Sequence, residues 1–144
     1  EADRGEQDLL YSLYPHAGGW QDAGTFRRGQ ELNSPLLARV AMVHSGAWPA
    51  EQSFLRLEPR NVILSSLKKE SGYINRAAIL RLTEVAGEEC QVRVEFPGPV
   101  EAIETDLIER PLAKIPADGN ILSLKIRPFE IKTLRIISSP RRQG

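Results

Sequence analysis

One short stretch near the start of the chain carries several residues that can do chemistry. Residues 11–20 read YSLYPHAGGW, with His16 placed before Trp20 and two glycines between them. A histidine beside a flexible turn can act as a general base or a metal ligand, and a tryptophan can stack on a sugar ring. The same residues also suit a plain corner between a strand and a helix, with Pro15 stiffening its entry. His16 and Trp20 are therefore candidate contacts for a sugar or for another domain.

Other residue types needed for catalysis are scarce. His44 is the only further histidine, and neither histidine has a second ligand at a spacing typical of zinc sites. Cys90 is the only cysteine, which excludes an intrachain disulfide and disfavours a thiolate zinc site. The chain has no Gly-x-Ser-x-Gly elbow, no P-loop and no dinucleotide fingerprint. We predict no catalytic, metal-binding or cofactor-binding residue in this chain.

Glu104 and Asp106 are the carboxylates best placed for glycoside hydrolysis, which uses two such groups. They are two residues apart in a predicted strand, so they point from the same face. Arg110 follows closely enough to balance them, which favours a solvated strand face over an acid/base pair. Trp48 is a third candidate for sugar stacking, although filling the edge of a small core is the commoner role of a tryptophan.

Composition and charge exclude several classes of partner. The chain has 144 residues, of which 41% are hydrophobic and 26% charged, as expected of one soluble domain with an extra segment. The 19 basic and 19 acidic residues balance, so we expect no nucleic-acid partner. No apolar run approaches the roughly 18 residues that cross a bilayer, so we expect no membrane partner. The single cysteine and the absence of an Asn-x-Ser/Thr acceptor favour a cytoplasmic location. The chain begins at Glu1 without a methionine, so we expect it to be part of a longer protein.

The second half of the chain has the period-two alternation of half-buried strands. We predict seven strands, in the runs SFLRL, NVILSSL, AAILRLTEV, CQVRVEF, EAIETDLIE, ILSLKI and FEIKTLRII. The turn at 86–89 is expected to join the third and fourth of them as a hairpin. A bulge near Lys132 and Thr133 would reconcile the two apolar faces of the last strand.

These strands predict an all-β fold, an antiparallel immunoglobulin-like β-sandwich with an N-terminal strand-helix-loop segment. In that segment DLLYSLYPH is the strand, WQDAGTFRRGQELN is a helix ended by Pro35, and residues 41–52 are a loop. The predicted domains are 1–50, the end of a preceding β domain, and 51–139, the sandwich. Residues 140–144 are predicted to be a flexible tail.

Six motifs carry a resemblance to a known family. YSLYPHAGGW, QELNSPL, EPRNVILSSLKK, LRLTEVAG, ETDLIERPL and LKIRPFEIKTLRI, in this order, resemble the C-terminal part of family 38 glycoside hydrolases, the α-mannosidases. The likeness runs from about Leu10 to Ile137. Gly19 departs from it, because many members carry an acidic residue there.

The resemblance implies a parent enzyme that is zinc-dependent and retaining and that cleaves α-linked mannose in glycans. In the family, the nucleophile, the acid/base carboxylate and the zinc ligands belong to an N-terminal α/β barrel followed by a helical bundle. No barrel motif occurs in this chain, so no catalytic or metal role carries over to any of its residues. The expected partners are the catalytic and helical domains of the same parent chain, with a mannose-containing glycan as the parent's substrate.

Two other functions stay open at this point. A carbohydrate-binding module would hold mannose glycans through exposed aromatics such as Trp20, Trp48 or Tyr73, and an interaction module would have no affinity for sugar. A support domain should instead expose apolar side chains that the rest of the parent covers. We expect Leu36, Leu37, Val40 and Trp48 near such a surface.

Overall fold

The computed structural model describes residues 5–71 and 77–138. It divides into two compact units, Glu1–His44 and Ser45–Gly144, each of which is described by itself. The predicted domain boundary at residue 50 stays a prediction. Tyr73 and the predicted tail at 140–144 lie outside the described residues.

Within residues 5–44, the described part of the first unit, the chain forms one helix, α1, at Thr25–Asn33. It is shorter than the predicted helix because residues 20–24 form a turn, in which the amide of Ala23 donates to the carbonyl of Gly19 at 3.1 Å. Gly24 then takes a left-handed conformation, with φ of 62°, immediately before the helix. At the other end, the helix stops before Pro35 as predicted.

The strand predicted for DLLYSLYPH, residues 8–16, was wrong. The described residues of the first unit form no strand, and residues 8–16 are exposed. A strand is stable when its backbone amides and carbonyls pair with a neighbour, and the described part of this unit supplies none. The predicted strand-helix-loop segment is therefore a helix flanked by irregular chain.

The second unit is a two-sheet antiparallel sandwich, as predicted. The described residues of this unit form nine strands, which are β1 (Arg56–Glu58), β2 (Val62–Lys69), β3 (Ala77–Glu84), β4 (Cys90–Glu95), β5 (Val100–Thr105), β6 (Pro111–Ile115), β7 (Ala117–Asp118), β8 (Ile121–Ile126) and β9 (Ile131–Ser138). One sheet has the order β1-β4-β8-β7 and the other the order β2-β3-β9-β5-β6. Strands β6 and β7 were missed because both are short edge strands, and Pro111 weakens the signal of the first.

Apolar side chains from both sheets form the core between them. The five residues predicted to be buried, Val92, Val94, Leu122, Leu124 and Ile126, all lie in it. Arg93, Lys125 and Arg127, which alternate with them, are exposed as predicted.

Leu124→Ala should lower the free energy of unfolding of the chain by about 2–4 kcal/mol, because it leaves a cavity between the sheets. Lys125→Ala is the matched control and should change it by less than about 0.5 kcal/mol. The ion pair of Lys125 with Glu89 is exposed at both ends and contributes little. Urea denaturation of the two variants tests this, and equal midpoints would contradict the assignment of faces.

The turn at 86–89 does not close a hairpin, contrary to the prediction. Strand β3 pairs with β2 and β9, whereas β4 pairs with β1 and β8, so the turn carries the chain from one sheet to the other. The carboxylate of Glu84 accepts hydrogen bonds from the amides of Ala86 and Gly87, both at 2.8 Å. These bonds fold the turn around the end of β3. Strands β2 and β9 occupy both edges of β3, so β4 has no edge of β3 to pair with.

The bulge predicted at Lys132 and Thr133 was also wrong. Strand β9 pairs with β3 in unbroken register from Ile131 to Ile137. Phe129 lies outside the strand, with φ of 56°, so its side chain needs no place on either face. The irregularities lie elsewhere: the extra residue is Ser65 in β2 and Leu112 in β6.

Candidate functional site

The first candidate is the aromatic stretch that contains Tyr14, His16 and Trp20, and these residues contact other residues of the first unit. The ring of His16 lies 5.7 Å from that of Tyr14, and the guanidinium of Arg28 lies 5.9 Å from the Tyr14 ring centre. The carbonyl of Trp20 accepts hydrogen bonds from both the amide and the hydroxyl of Thr25, each at 3.1 Å. Trp20 thus fixes the start of α1 through its backbone, while its side chain is 42% exposed.

Trp48 belongs to the second unit and pairs with another aromatic. Its ring centre lies 5.6 Å from that of Phe54 at an angle of 51°, and both side chains are more than half exposed. Such a tilted pair is a common packing arrangement for aromatic rings. The roles of His16, Trp20 and Trp48 as interface or sugar contacts stay predictions.

A polar cleft of about 380 Å³ lies beside the pairing of β1 with β4. It is lined by Glu51, Gln52, Ser53, Arg56, Glu95, Phe96, Pro97 and Asn120. The side chain of Asn120 donates to the carbonyl of Phe96 at 2.8 Å. This bond joins the residue before β8 to the residue after β4.

The carboxylates singled out for hydrolysis are held in separate ion pairs. Glu104 accepts a hydrogen bond from Lys132 Nζ at 2.9 Å. Asp106 is bound by Arg110 Nε at 2.7 Å and by the amides of Arg110 and Ile108. The hydrogen bond from the Arg110 side chain is the main reason that the pKa of Asp106 lies below its usual value. A general acid needs a raised pKa, so this pair is not equipped for acid/base hydrolysis.

Glu84 is a buried ionisable group of the sandwich, and the sequence patterns above did not predict it. Its side chain is buried, yet it accepts four hydrogen bonds, from Asn61 Nδ2 and from the amides of Ala86, Gly87 and Phe129, at 2.8–2.9 Å. Burial by itself raises the pKa of this carboxyl, but the four hydrogen bonds outweigh burial and lower the pKa to about 2. The group is a fixed anion that ties three segments together.

One sequence signal could have revealed Glu84. Glu84 continues the core-facing series of Leu80 and Leu82 at the same spacing of two residues. This spacing predicts that the carboxylate of Glu84 is buried. A buried carboxylate needs donors, and the Ala86-Gly87 turn that follows supplies two amides.

Charged side chains cover the outer face of the five-stranded sheet. Ile79 faces away from the core cluster but is fully buried. Its cross-strand neighbours are Lys68 and Arg135. Lys68 pairs with Glu109, and Arg135 binds both carboxylate oxygens of Glu70, at 2.5 and 3.0 Å. The aliphatic stems of these long side chains explain how an isoleucine is buried on an outer face.

Neither a metal site nor a membrane span is found in the described part of the chain. Among residues 5–71 and 77–138, no three His, Cys, Asp or Glu side chains are grouped closely enough to hold a metal ion. Within the same residues, no helix combines the length and apolar character that crossing a bilayer requires.

The family follows from comparison with known proteins. Residues 61–134, just over half of the chain, match the family described as "Glycosyl hydrolases family 38 C-terminal beta sandwich domain". The chain belongs to this family. The matched residues include β2 to β8 entirely and the first half of β9, so the family 38 sandwich corresponds to the second unit.

Three relatives are named as α-mannosidases. The chain is similar to alpha-mannosidase 2C1 of Homo sapiens, with 35% identity over 143 residues, and to alpha-mannosidase 2C1 of Mus musculus, with 32% identity over 142 residues. It is 27% identical to alpha-mannosidase G of Dictyostelium discoideum over 143 residues. These alignments cover 94–96% of this chain but only 13–14% of the length of the relatives.

Proposed function

We propose that the chain is the non-catalytic C-terminal part of a retaining, zinc-dependent α-mannosidase and supports its catalytic domain. The observation that carries this proposal is the difference between the aligned share of this chain and the aligned share of its relatives. Almost all of the chain aligns with α-mannosidases, yet it accounts for about a seventh of their length. The hydrolysis of α-linked mannose in glycans is proposed for the parent, with the catalytic and helical domains of that parent as the partners of this chain.

The chemistry of the described residues supports placing catalysis outside this chain. The lowered pKa of Asp106 and that of Glu84 make both groups fixed anions at neutral pH, unsuited to donating a proton to a leaving group. The described side chains do not fit zinc, because no three ligands are grouped. We therefore assign the zinc of the parent to residues outside this chain.

Exposed apolar side chains support a role as a support domain. Leu36, Leu37 and Val40, which were expected to border a covered surface, are almost fully exposed, and Trp48 is 62% exposed. Leu36 and Leu37 are adjacent in the sequence, and large exposed apolar patches mark surfaces that a partner covers. We also propose a cytoplasmic location, which rests on the single cysteine and the lack of an N-glycosylation acceptor.

The purified 144-residue chain should not hydrolyse a p-nitrophenyl α-mannoside, with or without added zinc. The parent enzyme, assayed in parallel, should release p-nitrophenol and so validates the assay. Turnover that co-purifies with the 144-residue chain through successive columns would show that the catalytic groups are in this chain.

A carbohydrate-binding module is the second candidate, because Trp48 and Phe54 form an exposed aromatic pair and residues 51–53 between them line the polar cleft. The same protein sample separates the two functions. The chain is titrated with mannose oligosaccharides up to about a millimolar while its tryptophan fluorescence is followed. A support domain should show no saturable change, which means that any binding is weaker than a Kd of about a millimolar, or roughly 4 kcal/mol. Saturation that disappears in Trp48→Ala would favour the binding module.

A further inference from the structure

The loop between β5 and β6 is braced by its own polar groups. The Asp106 carboxylate accepts from the amides of Ile108 and Arg110 at 3.0 and 2.9 Å. The backbone adds two more bonds, from the amide of Asp106 to the carbonyl of Arg110 and from the amide of Glu109 to the carbonyl of Asp106, both at 3.0 Å. A loop closed in this way has little freedom left.

The same loop is anchored to the sheet on its other side. Arg81 donates to the carbonyl of Leu107 at 3.2 Å. Glu109 has φ of 72°, a conformation that side-chain-bearing residues rarely adopt, and it is held there by Lys68 and by the amide of Ser71. Strained residues persist where the surrounding structure enforces them, and they cluster at functional sites.

The side chains that this ordered loop exposes to solvent are apolar. Leu107 is 59% exposed and Ile108 is 70% exposed, although polar residues on both sides of them are satisfied. Leu112, the bulged residue of the edge strand β6, is 65% exposed. Bulges re-aim side chains at sheet edges. We call Leu107, Ile108 and Leu112 the apolar tip.

Two charged residues that follow Ile108 in the sequence are neutralised within the chain. Arg110 is paired with Asp106, and Glu109 with Lys68. A partner that covers the tip therefore leaves these two charge pairs compensated, which lowers the cost of docking against an apolar surface. Because the loop is already ordered, its docking also costs little conformational entropy.

We propose that the apolar tip docks into an apolar surface on another domain of the same α-mannosidase polypeptide, an inference that rests on the proposed function. More than four fifths of the length of the relatives lies outside this chain, so such a domain is available. Three side chains offer far less than the roughly 800 Å² per partner that a stable complex of separate molecules buries. Covalent linkage gives an effective concentration in the millimolar range, at which so small a contact suffices.

Thiol labelling tests the docking. Ile108→Cys is made in the 144-residue chain and in the full-length parent enzyme, and the rate of alkylation is read peptide by peptide by mass spectrometry. The new thiol should react at least about tenfold more slowly in the full-length enzyme, because burying an aliphatic side chain shifts an equilibrium by that factor or more. Ser123→Cys, on the exposed side of β8, is the matched control and should react at similar rates in both proteins.

Equal rates at position 108 in the two proteins would overturn the docking inference. Slow labelling in the 144-residue chain alone, relieved on dilution, would overturn it in favour of a contact between two copies. Failure of the proposed function would be distinct from either result. It would appear as mannoside hydrolysis by the 144-residue chain, which labelling at position 108 does not influence.

Discussion

Glu84→Ala is expected to lower the free energy of unfolding by about 3–5 kcal/mol. The substitution leaves four donors without an acceptor in a place where the side chain is only 1% exposed. Each unsatisfied buried donor costs about 1–3 kcal/mol, although water that enters at the turn offsets part of that cost. Denaturation in urea, followed by circular dichroism, measures the change.

Glu101→Ala is the matched control, because Glu101 lies exposed on β5, and it should alter stability by less than about 0.5 kcal/mol. If Glu84→Ala does not fold, Asn61→Ala gives a milder test, since it removes one of the four donors. It should cost about 1 kcal/mol. A Glu84→Ala chain as stable as the Glu101→Ala chain would show that the four hydrogen bonds contribute nothing net.

Stability should also fall steeply in acid because of the same carboxyl. Its pKa is about 2 in the folded chain, against the ordinary value of 4.5 for a glutamate in an unfolded chain, so the folded state binds the proton less readily than the unfolded state. The stabilisation is therefore complete above about pH 4.5 and is lost as the pH falls towards 2. The difference corresponds to about 3 kcal/mol.

Urea midpoints measured between pH 7 and pH 2 check this dependence, with Glu84→Gln as the comparison. The variant should be less stable at pH 7, and its midpoint should change less between pH 4.5 and 2 than that of the original chain. Direct titration of the Glu84 carboxyl carbon by NMR gives a second measurement. A midpoint near pH 4.5 in that titration would contradict the proposed balance between burial and hydrogen bonding.

The sandwich was predictable because apolar and polar residues alternate in any strand that has one buried face. In β4 and β8 the apolar residues Val92, Val94, Leu122 and Leu124 alternate with polar ones, and each lies in the core. The edge strand β6 has no such pattern, because its residues are mostly exposed. Its existence depends on pairing with β5, a contact between residues that no local pattern records.

The errors in connectivity have the same origin. A short turn between two alternating runs normally predicts a hairpin. Here the turn after β3 is folded by the buried carboxylate of Glu84, whose fourth donor is the amide of Phe129, far along the chain. Sequence reasoning finds local turns but does not find a donor so far along the chain.

The candidate site was predictable mainly as a set of exclusions. Asp106 and Arg110 pair as their spacing suggested, which removes the best carboxylate pair from catalysis. The ETDLIERPL motif indicates the family, but its sequence does not show that Leu107 and Ile108 are exposed. That knowledge needs the bonds made by Asp106, Arg81 and Glu109.

The outer strands of the two sheets have a bearing on aggregation. In the four-stranded sheet the outer strands β1 and β7 have only three and two residues, too few to template a further strand. In the five-stranded sheet, β2 carries Lys68 and Lys69, whereas β6 begins with Pro111 and is interrupted by its bulge. Charges, prolines and bulges at an edge all oppose edge-to-edge polymerisation. A sandwich released from its parent by proteolysis should therefore not seed fibrils through the edges of its sheets.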